Sequence, residues 1–304
     1  MRHRDWPTLI VVSLALGAGA LRADEAYRVE VQKWRQDREA RLTADGGWLT
    51  VSGLFWLKEG ESLFGSDAAN DFVLPAGAPA KAGTFVFAGG RTTVRLLPGV
   101  MATLGGKPVT TAALKSDENG SPDVLSLGPL TMQVIKRGDR YGVRLKDRDS
   151  AARKAFTGLR WYDVREDYRI EARFTSYPAP RPIKVPNILG QSEPMPSPGF
   201  ATFSWGGQEI RLEGVLEDPA ATELFFIVRD QTSGKETYPA GRFLYAGLPK
   251  QGKIVLDFNK AYNPPCAFTA YATCPLPPPQ NWMSVRIEAG ERDYGTHGKA
   301  AAAK

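Results

Sequence analysis

Residues 201–212 read ATFSWGGQEIRL, and they decide the fold class. Ala201, Phe203 and Trp205 share one face of an extended chain, and Ile210 and Leu212 do so again after Gly206-Gly207. Apolar residues at period two on both sides of a Gly-Gly pair spell two half-buried strands joined by a tight hairpin. The pattern recurs upstream. In YRIEARF, residues 168–174, Tyr168, Ile170, Ala172 and Phe174 alternate with Arg169, Glu171 and Arg173. In YGVRLK, residues 141–146, Tyr141, Val143 and Leu145 alternate with Arg144 and Lys146. Gly-Gly pairs at 89–90 and 105–106 separate similar runs, and 31 Gly and 23 Pro supply more turns than a helical bundle needs. Short strands punctuated in this way indicate an all-β protein built as sandwiches or barrels.

One segment departs from that pattern. Residues 26–43, AYRVEVQKWRQDREARLT, place Tyr27, Val31, Trp34 and Leu42 near one helical face with charge elsewhere. Asp24 is positioned to cap this helix and Gly46-Gly47 to end it. Upstream, Arg2 and Arg4 precede an apolar run, Pro7 to Leu21, that is shorter than the roughly 20 residues of a spanning helix. Small residues at 18–20 and Ala23 follow it. This reads as a secretory signal peptide over residues 1–23, and so as a periplasmic or secreted protein with no membrane span after cleavage.

The expected organisation is therefore a signal peptide (1–23), an N-terminal helix (24–47), a β-sandwich (48–150), a second antiparallel β-sheet or barrel domain (151–292) and a disordered tail (293–304). The boundary falls in DRDSAARKAF, residues 147–156, which lacks strand alternation and suits a short helical turn. GQSEPMPSPG, residues 190–199, reads as a long surface loop.

Composition removes most familiar chemistry. His3 leaves with the signal, so His297, in the tail, is the last histidine of the exported chain. A Ser-His-Asp or Cys-His site and a His-rich zinc site are then excluded, and we expect no metal site and no cofactor. The net charge of +6 falls to about +4 without Arg2, Arg4, Asp5 and Arg22, and the remaining positive residues are interspersed with acids. That argues against nucleic acid as a partner and leaves a small molecule or an envelope component.

The opening of the sandwich, SLFGSDAANDFVLPAGAPAKAGTFVF at 62–87, resembles a forkhead-associated domain through Gly65, Asp71-Phe72-Val73-Leu74 and the later Gly105-Gly106-Lys107. The resemblance implies a sandwich. Phosphothreonine binding does not follow, because Phe64 stands where that family places Arg beside the Gly, and residues 79–83 lack its Ser-Arg and His. A second resemblance covers roughly residues 34–291. DQTSGKETYPAGRFLY at 230–245, IVLDFNKAYNPPCAFTAYATCPLPPPQN at 254–281, GWLTVSGLFWLKEGESLFGSD at 47–67 and RYGVRLKD at 140–147 are similar to domain-of-unknown-function family 1684. It implies no activity.

The candidate site comes from the residues themselves. Asp257 and Asn259 share one face at the end of the strand KIVLDFN and meet a Pro-rich loop that is either a plug or a binding wall. Pro264 holds Asn263 extended, able to fold back over that strand end. Arg242, beside Phe243-Leu244-Tyr245, calls for a carboxylate, and Asp230 or Asp257 can supply it. The strand carrying Arg242 is expected to pair as a hairpin with the strand carrying Asp257. Together Asp230, Arg242, Asp257, Asn259 and Asn263 would line a polar pocket of a non-catalytic binding protein. The alternative is a His-free hydrolase or lyase with Asp257 as base and Arg242 as anion clamp. Cys266 and Cys274 are expected to form a disulfide in an oxidising compartment.

Overall fold

The computed structural model describes residues 13–295, with side chains from Asp24 onward. Most of the expected signal segment and of the expected tail therefore lies outside the described residues. Helix α1 runs Ser13–Thr43. It begins upstream of Asp24, which is not a cap but pairs with Arg28 one turn on. It stops at Gly46-Gly47, as expected. A Cβ on Gly47 would fall 2.3 Å from the Leu42 carbonyl oxygen, so no other residue fits that close turn.

Eleven strands follow in the first half: β1 (Val51–Trp56), β2 (Gly60–Gly65), β3 (Phe72–Val73), β4 (Gly83–Ala88), β5 (Arg91–Leu96), β6 (Ala102–Leu104), β7 (Lys107–Val109), β8 (Thr111–Leu114), β9 (Val124–Leu127), β10 (Leu130–Arg137) and β11 (Arg140–Asp147). They form a sheet of order β1-β11-β10-β9-β6-β7 and a second of order β3-β2-β4-β5-β8. Pairing is antiparallel except between β2 and β3. The inward alternating residues Phe64, Phe85, Val94, Leu125, Met132, Val134, Val143 and Leu145 fill the space between the sheets. This is the expected sandwich. Ser150 then caps a single helical turn, α2 (Ala151–Lys154), within residues 147–156.

The second half contains β12 (Arg169–Pro186), β13 (Ser192–Trp205), β14 (Gln208–Gly214), β15 (Glu223–Val228), β16 (Arg242–Gly247) and β17 (Lys253–Asp257). A sheet of order β14-β13-β12-β17 faces the β15–β16 pair. Between them lie Phe174, Phe203, Leu212, Phe226, Leu244, Leu256 and Phe258. The β13–β14 turn is the one read from the sequence: Trp205 pairs with Gln208, and Gly206 and Gly207 both take positive φ, at 57° and 76°.

Three expectations are corrected. Residues 192–199 are strand, not loop: residues 192–197 pair with residues 181–186 of β12, and Gly199 pairs with Ser176 across a register shift. Pro194 and Pro196 are two apart in the regular ladder, so their missing N–H groups fall on the edge away from β12, where proline is tolerated, and Pro198 sits unpaired in the register shift. The Pro196 carbonyl on that edge accepts from the Leu216 N–H. Second, β16 does not pair with β17. Arg242 lies opposite Val228 on β15, and the other edge of β16 is taken by Tyr262, which exchanges two backbone hydrogen bonds with Phe243. β17 instead completes the four-stranded sheet, with Asp257 opposite Arg169. Third, the chain stays packed beyond residue 292: the Asp293 N–H donates to the Glu236 carbonyl, and the Tyr294 ring lies 5.0 Å from that of Phe268.

The Pro-rich loop after β17 fills the junction of the two halves. Its Thr269 hydroxyl donates to the Val51 carbonyl and its Thr273 hydroxyl accepts from Arg137, so it lies on the outer face of the first sandwich. Leu42 of α1 and Leu49 join Phe225, Phe243, Cys266 and Phe268 in a third apolar cluster there. Among the described residues no helix is long and apolar enough to cross a membrane.

Candidate functional site

The five expected site residues are all buried, but they fall into three separate polar knots. Arg242 donates to Asp230 at 2.8 Å and to the carbonyls of Ile287 and Ala289. The other Asp230 oxygen accepts from the backbone and hydroxyl of Thr232 and from the Ile287 N–H. In the second knot Tyr27 of α1 donates to Asp257 at 2.7 Å and accepts from Asn259, whose side chain also bridges both backbone groups of Arg165. Burial, with Asp257 as the second cause, pushes the Tyr27 hydroxyl well above the ordinary range. In the third, the Asn263 backbone N–H donates to Glu291, its carbonyl accepts from Arg38 and its amide donates to the Arg292 carbonyl. These are the contacts of a structural brace, and they do not open onto one shared pocket. Of the five, Asp257 reaches a cavity wall.

The open space lies elsewhere, between α1, the Pro-rich loop and β15–β16. A cavity of about 640 Å³ is walled by Arg38 and Arg41 of α1, by Trp48, by Arg137 at the end of β10 and by Phe225, Phe243, Tyr245 and Tyr262. Each group is placed by a different element. Helical spacing puts Arg38 and Arg41 on adjacent turns facing the rings. β15–β16 pairing sets Phe225 opposite Tyr245, with rings stacked at 4.8 Å. The Phe243–Tyr262 bridge sets those two rings edge to face at 5.9 Å. Glu193 and Glu217 stand at the wall, and Glu217 accepts from the Tyr245 hydroxyl. A second cavity of about 540 Å³ shares Arg38, Arg41, Tyr245 and Tyr262 with the first and adds Trp34, Arg169, Asp257 and Lys260.

Electrostatically the first wall is cationic. Arg41 is exposed and forms no ion pair among the described residues. Arg38 is buried, stacks 4.5 Å from the Tyr262 ring centre and is held by Glu291. Burial pushes the Glu291 carboxyl up to about 7, against the pull of Arg38. Burial likewise pushes Tyr262 up to about 12, again opposed by Arg38. Behind Trp48 lies Arg144, its guanidinium 5.1 Å from the ring centre, and burial lowers it to about 10. Sequence reading missed Arg38, Arg41, Trp48, Arg137, Tyr245 and Tyr262. The available signal was in α1: positions 31, 35, 38 and 42 form a core stripe, and two of its four members are arginines.

Residues 154–292 match the family described as Protein of unknown function (DUF1684). Those residues, just under half of the chain, belong to this family. The matched residues lie in the second half, against the wider span of roughly 34–291 over which the sequence resembles the family. No curated protein matches the DUF1684 chain. Among solved structures, an uncharacterized protein of Haloarcula marismortui determined by solution NMR is 31% identical, covering 48% of this chain and 81% of that one, with a TM-score of 0.41. The FhaA FHA domain, crystallised with the intracellular domain of another protein, is 18% identical over 31% of this chain and 97% of its own, with a TM-score of 0.22. An FHA domain studied for phosphothreonine-dependent interactions matches at 18% over 31% of this chain and 92% of its own, also with a TM-score of 0.22.

Proposed function

We propose that this DUF1684 protein is a binding protein whose ligand is a small anion carrying a planar or aromatic group, taken into the 640 Å³ cavity. The observation that carries this reading is the wall itself. Arg38, Arg41 and Arg137 converge with Trp48, Tyr245 and Tyr262 around one half-open space. Arg41, which forms no ion pair among the described residues, stands beside Arg38 and Arg137 and favours an anion, and ring faces favour a flat apolar body. The volume suits a ligand of ordinary metabolite size. Catalysis by Asp257 and Arg242 is not favoured. Arg242 has no solvent exposure and is spent on Asp230 and two carbonyls, so it cannot clamp a substrate.

We also infer export, supported by the basic start and the short apolar run of residues 1–23. N-terminal sequencing of the protein from its native host tests that inference: a chain still beginning at Met1 overturns it.

The cavity is tested with 1-anilinonaphthalene-8-sulfonate, a planar sulfonate, followed by fluorescence and calorimetry. One saturable site is expected, weakening as salt rises. Arg41→Glu, at an exposed position, should weaken it at least tenfold, the equivalent of about 1.4 kcal/mol. No saturable binding, or equal binding by Arg41→Glu, overturns the proposal.

A further inference from the structure

Cys266 and Cys274 bracket the part of the Pro-rich loop that lies against the first sandwich. The Cys266 backbone N–H donates to Cys274 Sγ at 3.1 Å, and both cysteines are free, buried thiols. The structure thus places them in contact without the expected disulfide. Arg144 faces them from the middle of β11. Its side chain is 4% exposed, and its Nε and Nη2 have no hydrogen-bond partner. A buried guanidinium without a counter-charge is expensive, and removing one member of a buried pair usually costs several kcal/mol. The groups acting electrostatically on Arg144 are Arg137 and Lys146, which are repulsive, and Asp117, Cys274 and Cys266, which are attractive. Asp117 is already engaged by Arg137 at 2.8 Å. The cysteines are the counter-charge left over. Tyr238 is the other titratable group the pair influences, and burial raises it.

The sulfurs are prepared unequally. The hydrogen bond from Cys274 holds the Cys266 thiol below the usual range, while burial pushes that of Cys274 far up. The pair therefore releases one proton readily and keeps the second between its two sulfurs. Cys274 is also on the wall of the large cavity, beside Thr273 and Trp48, which gives a reagent a way in.

We propose that Cys266 and Cys274 form a reactive dithiol, with Arg144 as the counter-charge of its thiolate, that a small-molecule disulfide oxidises through the cavity. The shared proton passes to Cys266 as Cys274 Sγ attacks one sulfur of the reagent. The reagent S–S bond breaks, a mixed disulfide forms on Cys274, and the first thiolate leaves and takes the proton from Cys266. Cys266 Sγ then attacks Cys274 Sγ and expels the second thiolate, which takes a proton from water. The protein loses two hydrogens and two electrons pass to the reagent, now two thiols. The proposal is independent of what else the cavity binds.

Reduced protein treated with oxidised glutathione tests it by intact mass. Wild type should lose two hydrogens and retain no adduct, and Cys266→Ser should stop at one glutathione on Cys274. Arg144→Gln should slow wild-type oxidation at pH 7 about tenfold, as expected for a thiol pKa raised by about one unit. Wild type that stays reduced, or Arg144→Gln that reacts at the wild-type rate, overturns the proposal. Should Arg144→Gln not fold, the pH profile of wild-type alkylation by iodoacetamide decides. A midpoint below the ordinary thiol value of about 8.5 supports the counter-charge, and a midpoint at or above it overturns it.

Discussion

The Arg242 guanidinium lies 2.8 Å from the Asp230 carboxylate, and both side chains are closed to solvent. Arg242 also reaches the carbonyls of Ile287 and Ala289, so one cation fastens the start of β16 to the returning C-terminal segment. The two residues are twelve apart in sequence and converge because β15 and β16 pair with Val228 opposite Arg242. Arg242→Met leaves Asp230 charged and buried without its partner, which costs about 3–5 kcal/mol. Arg242→Lys should recover little, since a single ammonium cannot hold the fork of acceptors that the guanidinium spans. Urea unfolding of the three proteins measures this. A loss under about 1 kcal/mol for Arg242→Met contradicts the structural role.

Glu291 makes a prediction about pH. Burial raises its carboxyl from 4.5 to about 7. Between those values the folded state holds a proton that the unfolded chain has released. Stability from this group is therefore present below about pH 4.5 and lost as pH rises through about 7, the reverse of an ordinary ion-paired carboxylate. Glu291→Gln carries no titrating proton. From pH 5 to pH 8 the variant should gain on wild type by an amount on the order of 2–3 kcal/mol, measured by urea unfolding at both values. A difference that does not change with pH contradicts the raised carboxyl.

Tyr27 is the bolt that holds α1 to the second half. Its hydroxyl donates to Asp257 and accepts from Asn259. Tyr27→Phe keeps the ring and leaves both groups short of a partner, at a cost of about 1–3 kcal/mol. Asn259→Ala should cost a similar amount, and the double variant less than the sum, because the two residues share one knot. Strict additivity in the melting data would count against that coupling.

The sequence disclosed whatever depends on local period. The hairpin at Gly206-Gly207 was legible because both of its strands alternate at period two, and the sandwich followed from the same signal. The Pro-rich edge of β13 was not, because three prolines look like a loop unless their spacing of two is noticed. The need of Arg242 for a carboxylate was legible from the apolar run beside it. Its choice of Asp230 over Asp257 was not, since that depends on which strand occupies each edge of β16. The cavity was illegible for a stronger reason. Arg38, Trp48, Arg137, Phe225, Tyr245 and Tyr262 come from six places in the chain, and no short-range pattern relates them.

The two halves should also differ in how far they fold alone. The first sandwich closes its core with residues from its own strands, from Phe64 to Leu145. The second half borrows. Leu42 of α1 and Leu49 belong to its junction cluster, and Tyr27 and Arg38 satisfy Asp257, Asn259 and the Asn263 carbonyl. A fragment of residues 48–150 should therefore show a cooperative thermal transition. A fragment of residues 151–295 loses the two leucines, each worth about 1.5–3 kcal/mol when fully buried, and leaves buried polar groups short of their partners. Against a typical domain stability of about 5–15 kcal/mol, that loss removes much of the margin. Extending the fragment cannot help unless it restores α1 itself, so 151–295 mixed with a peptide of residues 24–50 is the informative comparison. Circular dichroism melts should show a transition for 48–150, none for 151–295 and a partial one for the mixture. A sharp transition for 151–295 alone would mean that α1 is an accessory to this core rather than part of it.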